Sequence, residues 1–271
     1  MVSFPNCKIN LGLKILRRRE DGFHDIETIF YPLPLCDILE AVRSPGLQFT
    51  ATGRPIPGDP DANLAIRAWH MLRRDFHDLP FVDIHLHKQV PIGGGLGGGS
   101  ADGAFMLQLL NRKFGLGLDG DHLAGYAKRL GSDCPYFLVN RPCLGQGRGE
   151  LLEPLPLDLS GYSFLLVHPG IHISTREAFS NCRPDDSGPS LRSLITQPVG
   201  RWRNTVVNDF EASAFPEYPV LRDIKQTLYE RGALYASMTG SGSCIYGIFE
   251  KGKAPDQGWN AGYEVISILK K

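Results

Sequence analysis

The residues best suited to chemistry in this chain are glycines: six of the seven positions from Gly93 to Gly99 are glycine, and no other window approaches that density. Glycine lets backbone approach a ligand without a Cβ in the way, while the free N–H groups of a helix start offer donors and a positive dipole to an anion. Phosphate suits such a site. Consecutive glycines also lose backbone entropy that a plain turn would not need to lose, which favours a binding role over mere flexibility. The run lacks the GK[ST] ending of a Walker loop, so no lysine stands ready for the β- and γ-phosphates. Gly93, Gly95 and Gly98 spell GxGxxG, by itself a weak dinucleotide fingerprint, and neither HRD nor DFG follows as in a protein kinase. Lys8 is a second chemical residue, an unusual cation within the apolar CKINLGL. Asn10 follows it by two and shares its face on a strand. His85 and His87 share a strand face as well, but without a third ligand they do not make a metal site.

These residues need elements to hold them. Val82 to Val90 alternates apolar Val82, Ile84 and Leu86 with polar Asp83, His85 and His87, predicting a strand with one buried face that Pro91 ends. A Rossmann first strand would instead be buried on both faces. Ala104, Leu107, Leu110 and Phe114 predict an amphipathic helix from near Ser100 to Gly115, completing a unit of strand, glycine loop and helix. A second helix is expected from Asp121 as N-cap to Gly131 in a left-handed conformation, leaving Ser132 and Asp133 just beyond it. Pro154 and Pro156 mark a connection, and the boundary between halves is set near Asp158. Phe164 to Val167 then reads as a buried strand, and Leu221, Ile224 and Leu228 as a helix ending before Gly232. Strands Ala233 to Met238 and Cys244 to Phe249 flank the turn TGSGS, and residues 183–200 read as a loop.

Composition narrows the function classes. The 271 residues fit one large domain or two ordinary ones, and 42% hydrophobic with 21% charged residues exclude a disordered or fibrous chain. Lys and Arg, 29, balance Asp and Glu, 29, so no global field draws the chain to nucleic acid or an anionic membrane. Six scattered cysteines without a CxxC pair fit a reducing cytoplasm. Neither an export signal nor a run of 18 apolar residues is found.

PIGGGLGGGSA at 91–101 resembles the phosphate motif of the GHMP kinases, the superfamily of galacto-, homoserine, mevalonate and phosphomevalonate kinases. CKINLGL at 7–13, DGFHDIETIF at 21–30, GSDCPYF at 131–137, HPGIHISTREAF at 168–179 and MTGSGSCIYGIF at 238–249 are similar to signatures of its branch acting on a cytidine diphosphate-linked methylerythritol, on the methylerythritol phosphate route to isoprenoids. The resemblance covers nearly the whole chain. It implies a two-domain α/β (α+β) fold, with a half resembling the second domain of ribosomal protein S5 at 1–158, a ferredoxin-like half at 159–271 and the active site in the cleft between them. It also implies ATP-dependent phosphorylation of the acceptor's 2-hydroxyl, with Mg²⁺.

On the same resemblance Asp133 and Lys8 are the catalytic pair. ATP is held by Asn63 and Leu64 at the adenine edge, by Gly93, Gly94, Gly95, Leu96, Gly97, Gly98, Gly99 and Ser100 at the phosphates, and by Pro91 beside them in the chain. The acceptor is held by Asn10, Asp21, Phe23, His24, Thr175 and Phe179. Asn63 equally suits a helix N-cap, Phe179 ordinary core, and Ser174 with Glu177 a capping box before Thr175. Phe23 stands where the family commonly has tyrosine, keeping a stacking face without the phenol hydroxyl. Ala101 and Asp102 stand where the family often has serine and asparagine. Asp102 is expected to turn outward or hold Mg²⁺ through water, and the metal ligands stay open. Arg17, Arg18 and Arg19 suit a solvated turn or substrate phosphates, and TGSGS a plain turn or an approach to the diphosphate. The partners expected are small molecules, neither nucleic acid nor membrane, with the chain a monomer or homodimer. Two other readings stay open: a homoserine- or mevalonate-type kinase, and a catalytically silent nucleotide-binding regulator.

Overall fold

The computed structural model describes residues 1–255 and 257–269. They fall into two compact units interleaved along the chain, the first built from residues 1–7, 35–92 and 97–140, the second from 8–34, 93–96 and 141 onward. The boundary expected near Asp158 lies inside the second unit. The prolines there punctuate a connection, but the early residues 8–34 group with the C-terminal part of the chain.

In the first unit, β1 (Val2–Ser3), β4 (Ile38–Arg43), β6 (Val82–Lys88) and β5 (Gln48–Gly53) form one sheet in that order, with β5 parallel to β6 and the other pairs antiparallel. The alternation holds in β6, where Val82, Ile84 and Leu86 are fully buried. The strand stops at Lys88, short of Val90, because the N–H groups of Gln89 and Val90 donate to the Asp37 carboxylate. Four helices follow: α1 (Leu64–Asp75), α2 (Gly98–Phe114), α3 (Gly120–Leu130) and α4 (Cys134–Val139). Helix α2 begins two residues before Ser100 and ends, as its sequence predicts, on left-handed Gly115. Two expectations about α3 are corrected. Its N-cap is Asp119, whose side chain accepts from His122 N–H, and Asp121 lies in the first turn; Gly131 is extended, closing the helix with an N–H to Ala127 O.

In the second unit, β2 (Asn6–Arg18), β3 (His24–Cys36), β7 (Cys143–Gln146) and β8 (Leu151–Pro154) form one sheet, whose first two strands begin or end in the other unit. A fully antiparallel sheet has the order β10 (Tyr235–Met238), β11 (Ile245–Glu250), β9 (Tyr162–His168), β12 (Glu264–Leu269). The remaining helices are α5 (Thr175–Ser180), α6 (Leu191–Leu194), α7 (Glu211–Glu217) and α8 (Pro219–Glu230). The apolar face Leu221, Ile224 and Leu228 of α8 is buried in one cluster with Leu165 and Val167 of β9 and Ala236 and Met238 of β10. Each such leucine contributes roughly 1.5–3 kcal/mol by burial. The loop expected over 183–200 contains α6 and a 3-10 turn at Val199–Arg201. Ser190 caps α6, and Glu27 accepts from Ser190 Oγ and Leu191 N–H, an anchor supplied from a distant strand. Among the described residues no helix is long and apolar enough to cross a membrane.

Candidate active site

The glycine loop is held by its carbonyls. Lys8 N–H donates to Leu96 O at 3.0 Å, Lys8 Nζ to Gly95 O at 2.8 Å, and Cys244 N–H to Gly94 O at 3.3 Å. Thr239 Oγ1 lies 3.2 Å from Gly95 O. A trans peptide directs its N–H opposite to its C=O, so the N–H groups of Gly95, Leu96 and Gly97 point away from these anchors, as an anion cradle requires. The tether demands glycine at 95: φ is +75°, and a Cβ there would lie 2.0 Å from Thr239 O.

Lys8 is 2% exposed, and its ammonium also donates to Asn10 Oδ1 at 2.6 Å, above the Phe30 ring. Asn10 is itself held, with Nδ2 donating to Thr28 Oγ1 and its main-chain N–H to Thr239 Oγ1 at 3.1 Å. Tyr246 donates its hydroxyl to Asn10 O. Lys8 and Asn10 thus share a strand face as their spacing predicts, and Asn10 orients Lys8. Thr239 and Thr28 were not singled out by the sequence. Thr239 carries a visible signal as the first residue of TGSGS, which is a turn, with Gly242 N–H bonded to Thr239 O, and also the lock on the loop.

The first unit gathers the other part of the loop. Gly97, with φ +73°, precedes α2 without side-chain capping, so the helix's first N–H groups remain directed outward. A Cβ on Gly99 would meet nothing within 4 Å. Burial pushes the pKa of the Cys134 thiol up to about 12, with the nearby Ser100 side chain opposing the shift. The loop's serine therefore lies beside the residue following Asp133. Asp133 occupies the N-cap position of α4, yet its side chain does not cap the helix. Asn63 is the N-cap of α1, accepting from Ala65 N–H at 2.9 Å. Leu64 packs against α2, where a Cβ on Gly103 would come 2.9 Å from Leu64 Cβ.

Asp102 departs from one of its two expectations. It does not turn outward: it is 2% exposed and its Oδ2 accepts a 2.7 Å bond from Lys88 Nζ, while its Oδ1 is buried with no hydrogen-bond partner among the described residues. The outward reading follows from the repulsion between a carboxylate and phosphate, and the buried Lys88 ammonium offsets that charge.

Of the residues expected to hold the acceptor, Asp21 and Phe23 lie in the turn between β2 and β3, and His24 opens β3. Arg19 N–H donates to Phe23 O, Phe23 N–H donates to Asp21 Oδ1, and Arg19 bridges Asp21 and Asp25, so Asp21 shapes the turn. The Arg19 hydrogen bond, the largest cause, holds the Asp21 carboxyl below its usual range. Arg17 pairs with Asp25, which supports the turn reading for these arginines. His24 stacks on Phe179 at 5.0 Å and 16°, and Phe179 meets Phe210 edge-on at 4.9 Å. Burial, followed by Arg18, lowers the His24 pKa. Phe23 is 52% exposed, with the Arg148 guanidinium 4.8 Å from its ring centre. The structure thus brings Phe179 to His24, while Phe23 is partnered by Arg148. Thr175 opens α5 behind Ser174, whose Oγ accepts from Glu177 N–H, one half of the predicted capping box; the Glu177 carboxylate accepts from Tyr218 OH instead of closing the other half. His85 and His87 both contact Thr52 Oγ1, and among the described residues no three His, Cys, Asp or Glu side chains could hold a metal.

Residues 63–141 match the family described as GHMP kinases N terminal domain, and 194–265 match GHMP kinases C terminal. A relative from Bacteroides thetaiotaomicron, named 4-diphosphocytidyl-2-C-methyl-D-erythritol kinase, is 47% identical over 264 residues, 96% of each chain. One of the same name from Chlorobium phaeobacteroides is 39% identical over 90% of this chain and 87% of its own. A crystal structure of 4-(cytidine 5'-diphospho)-2C-methyl-D-erythritol kinase aligns at TM-score 0.80 and 32% identity, covering 92% of this chain and 90% of that one. A mevalonate kinase from Methanococcus jannaschii, at TM-score 0.71 and 11% identity over 99% of this chain and 98% of its own, shares the fold.

Proposed function

The chain belongs to the GHMP kinases, in the branch of 4-diphosphocytidyl-2-C-methyl-D-erythritol kinases, and on that premise we propose that it transfers the γ-phosphoryl group of ATP to the 2-hydroxyl of 4-diphosphocytidyl-2-C-methyl-D-erythritol. The product serves isoprenoid synthesis by the methylerythritol phosphate route. The observation that supports this chemistry best is the buried Lys8 ammonium locked onto Gly95 O and Asn10, a fixed cation built into the phosphate loop's own tether.

Phosphoryl transfer is mostly positioning and electrostatics. The N–H groups of the loop from Gly93 to Ser100 and the start of α2 receive the triphosphate, while Asn63, Leu64 and Pro91 border the nucleoside. The acceptor's 2-oxygen forms the new bond to the γ-phosphorus as the bond to the ADP oxygen breaks, and the hydroxyl proton passes to Asp133. Lys8 stabilises the charge developing on the transferred group. Phe179, His24 and Phe23 face cytosine, and Thr175, Asn10 and Asp21 serve the remainder of the acceptor site. Mg²⁺, when bound, would supply charge neutralisation at the triphosphate, and Asp102, whose buried Oδ1 has no hydrogen-bond partner among the described residues, is the carboxylate next to this loop that would reach it through water. None of the steps assigned to this chain's residues depends on it. On this reading the enzyme works in the cytoplasm on small molecules, as a monomer or homodimer.

The test is ATP consumption with the cytidine diphosphate-linked acceptor, compared with homoserine and mevalonate. Turnover is expected with the first alone. Preference for either of the others would assign a different acceptor, and inactivity with all three would favour a silent nucleotide binder.

A further inference from the structure

Lys88 ends β6 in phase with Val82, Ile84 and Leu86, so the strand's pleat carries a cation into the apolar side. It is 4% exposed, and its ammonium donates to Asp37 Oδ2 at 2.5 Å and Asp102 Oδ2 at 2.7 Å. Both carboxylates are buried. Asp37 also accepts from Gln89 N–H at 2.6 Å and Val90 N–H at 2.9 Å, the point where strand gives way to loop. Asp102 stands on α2, just past its first turn. The ammonium lies directly under the helix start, for a Cβ on Gly98 would come 3.1 Å from Lys88 Nζ.

Burying three ionisable groups is expensive, and an apolar trio of similar volume would often be as stable. Directional bonds supply what apolar packing does not, a fixed register between the strand entering the loop and the helix leaving it. We propose that Lys88, gripped by Asp37 and Asp102, is a positioning residue for ATP, pinning the phosphate end of α2 to β6. The proposal rests on the reading of Gly93 to Ser100 as the phosphate site. The charges fit beneath an anion: burial works against the Lys88 ammonium, but the two carboxylates outweigh it and raise its pKa. Burial pushes Asp102 up to about 7 against the pull of Lys88, which limits the anchor's negative charge near neutrality.

Asp102→Leu tests the anchor. It cuts the tie to α2 while leaving Lys88 paired with Asp37, so no lone charge is buried. Since displacement of about 1 Å at a reacting centre has large kinetic effects, KM for ATP should rise about ten-fold or more, while KM for the cytidine acceptor stays within about two-fold. Asp102→Asn, whose amide oxygen still accepts from Lys88, should restore ATP binding. An unchanged KM for ATP in folded Asp102→Leu, an equal rise for both substrates, or failure of Asp102→Asn to restore binding would each overturn the proposal. Should Asp102→Leu not fold, hydrogen exchange on the unsubstituted, nucleotide-free protein decides. Amides 101–104 must exchange as slowly as 106–109 in the middle of α2, and frayed exchange at 101–104 overturns the anchor. Titration of the unsubstituted protein with a non-hydrolysable ATP analogue separates the two ideas: absence of binding there refutes the phosphate-site reading itself.

Discussion

The glycine loop and the turn between β2 and β3 are built in opposite ways. The loop is held by buried groups: Lys8 and Thr239 bond its carbonyls, Asn10 holds Lys8, and Lys88 with its two carboxylates lies under the start of its helix. The turn is held by exposed ion pairs, Arg19 with Asp21 and Asp25 and Arg17 with Asp25, and it presents a half-exposed Phe23. Surface pairs of this kind add little stability and weaken in salt, whereas a buried polar group deprived of its partner is costly. The glycine loop is therefore preorganised and the turn freer to adjust; under the proposed function these are the ATP and acceptor ends.

The largest expected effect separates chemistry from cradle. Asp133→Asn should lower kcat by roughly 10²–10⁴-fold, the range for loss of a general base, while ATP-analogue affinity stays nearly intact. Near-normal turnover would remove Asp133 as the base. Next, Gly95→Ala attacks the preorganised region, since its Cβ would meet Thr239 O at 2.0 Å in a left-handed conformation. A loss of about 2–4 kcal/mol in urea denaturation, with weaker ATP-analogue binding, is the expected result. A Gly95→Ala variant as stable and as tightly binding as the parent would show that the loop is not rigidly seated.

Phe179→Ala probes the adaptable region. Removing an aromatic face from a base should cost about 1–3 kcal/mol, raising KM for the cytidine acceptor about ten-fold and leaving ATP little affected. Circular dichroism controls for the ring's packing on Phe210. If both substrates weaken together and melting falls sharply, Phe179 is core, and the stacking face lies elsewhere.

The smallest effect is in the pH dependence of stability, where the two regions titrate with opposite sign. Asp102, raised from 3.8 to about 7, binds a proton more readily when folded. Its contribution is fully present below pH 3.8 and is lost as pH rises through about 7. Asp21 and Asp25 are lowered by Arg19 and Arg17 respectively, so their contribution is present above pH 3.8 and is lost as pH falls through their folded values. Melting curves of the protein minus those of Asp102→Asn, taken from pH 4 to 8, should therefore slope downward to about pH 7. A flat difference would mean that Asp102 is ionised throughout.

What the sequence disclosed was local. The period-two pattern of β6, the Gly115 stop and the Ser174 N-cap each depend on neighbours in the chain, and each is found in the structure. Competing local signals misled at α3, where Asp119 and Asp121 are both suitable caps. Long-range partners left no pattern: Thr239 is 229 positions from Asn10, and the Lys88 to Asp37 bond spans 51. Lys88 did carry one readable sign, its place in phase with an apolar strand face. For Asp102 there was none, because its burial depends on where Lys88 lies in space.

The interleaving of the units has a consequence for synthesis. The first unit is complete in sequence once residue 140 has emerged, whereas the second begins at residue 8 and needs β11 and β12, near residues 245–269, before its antiparallel sheet can close. On a ribosome delivering the chain from its N-terminus, β2 and the start of β3 are made early and wait for partners more than a hundred residues away. Neither unit is a contiguous segment, so no single cut or stop codon yields the second unit by itself. A nascent chain arrested shortly after residue 140 would hold the whole sequence of the first unit, sheet and helices together, and a pair of long apolar strands still lacking their later partners, the species on which a chaperone would act.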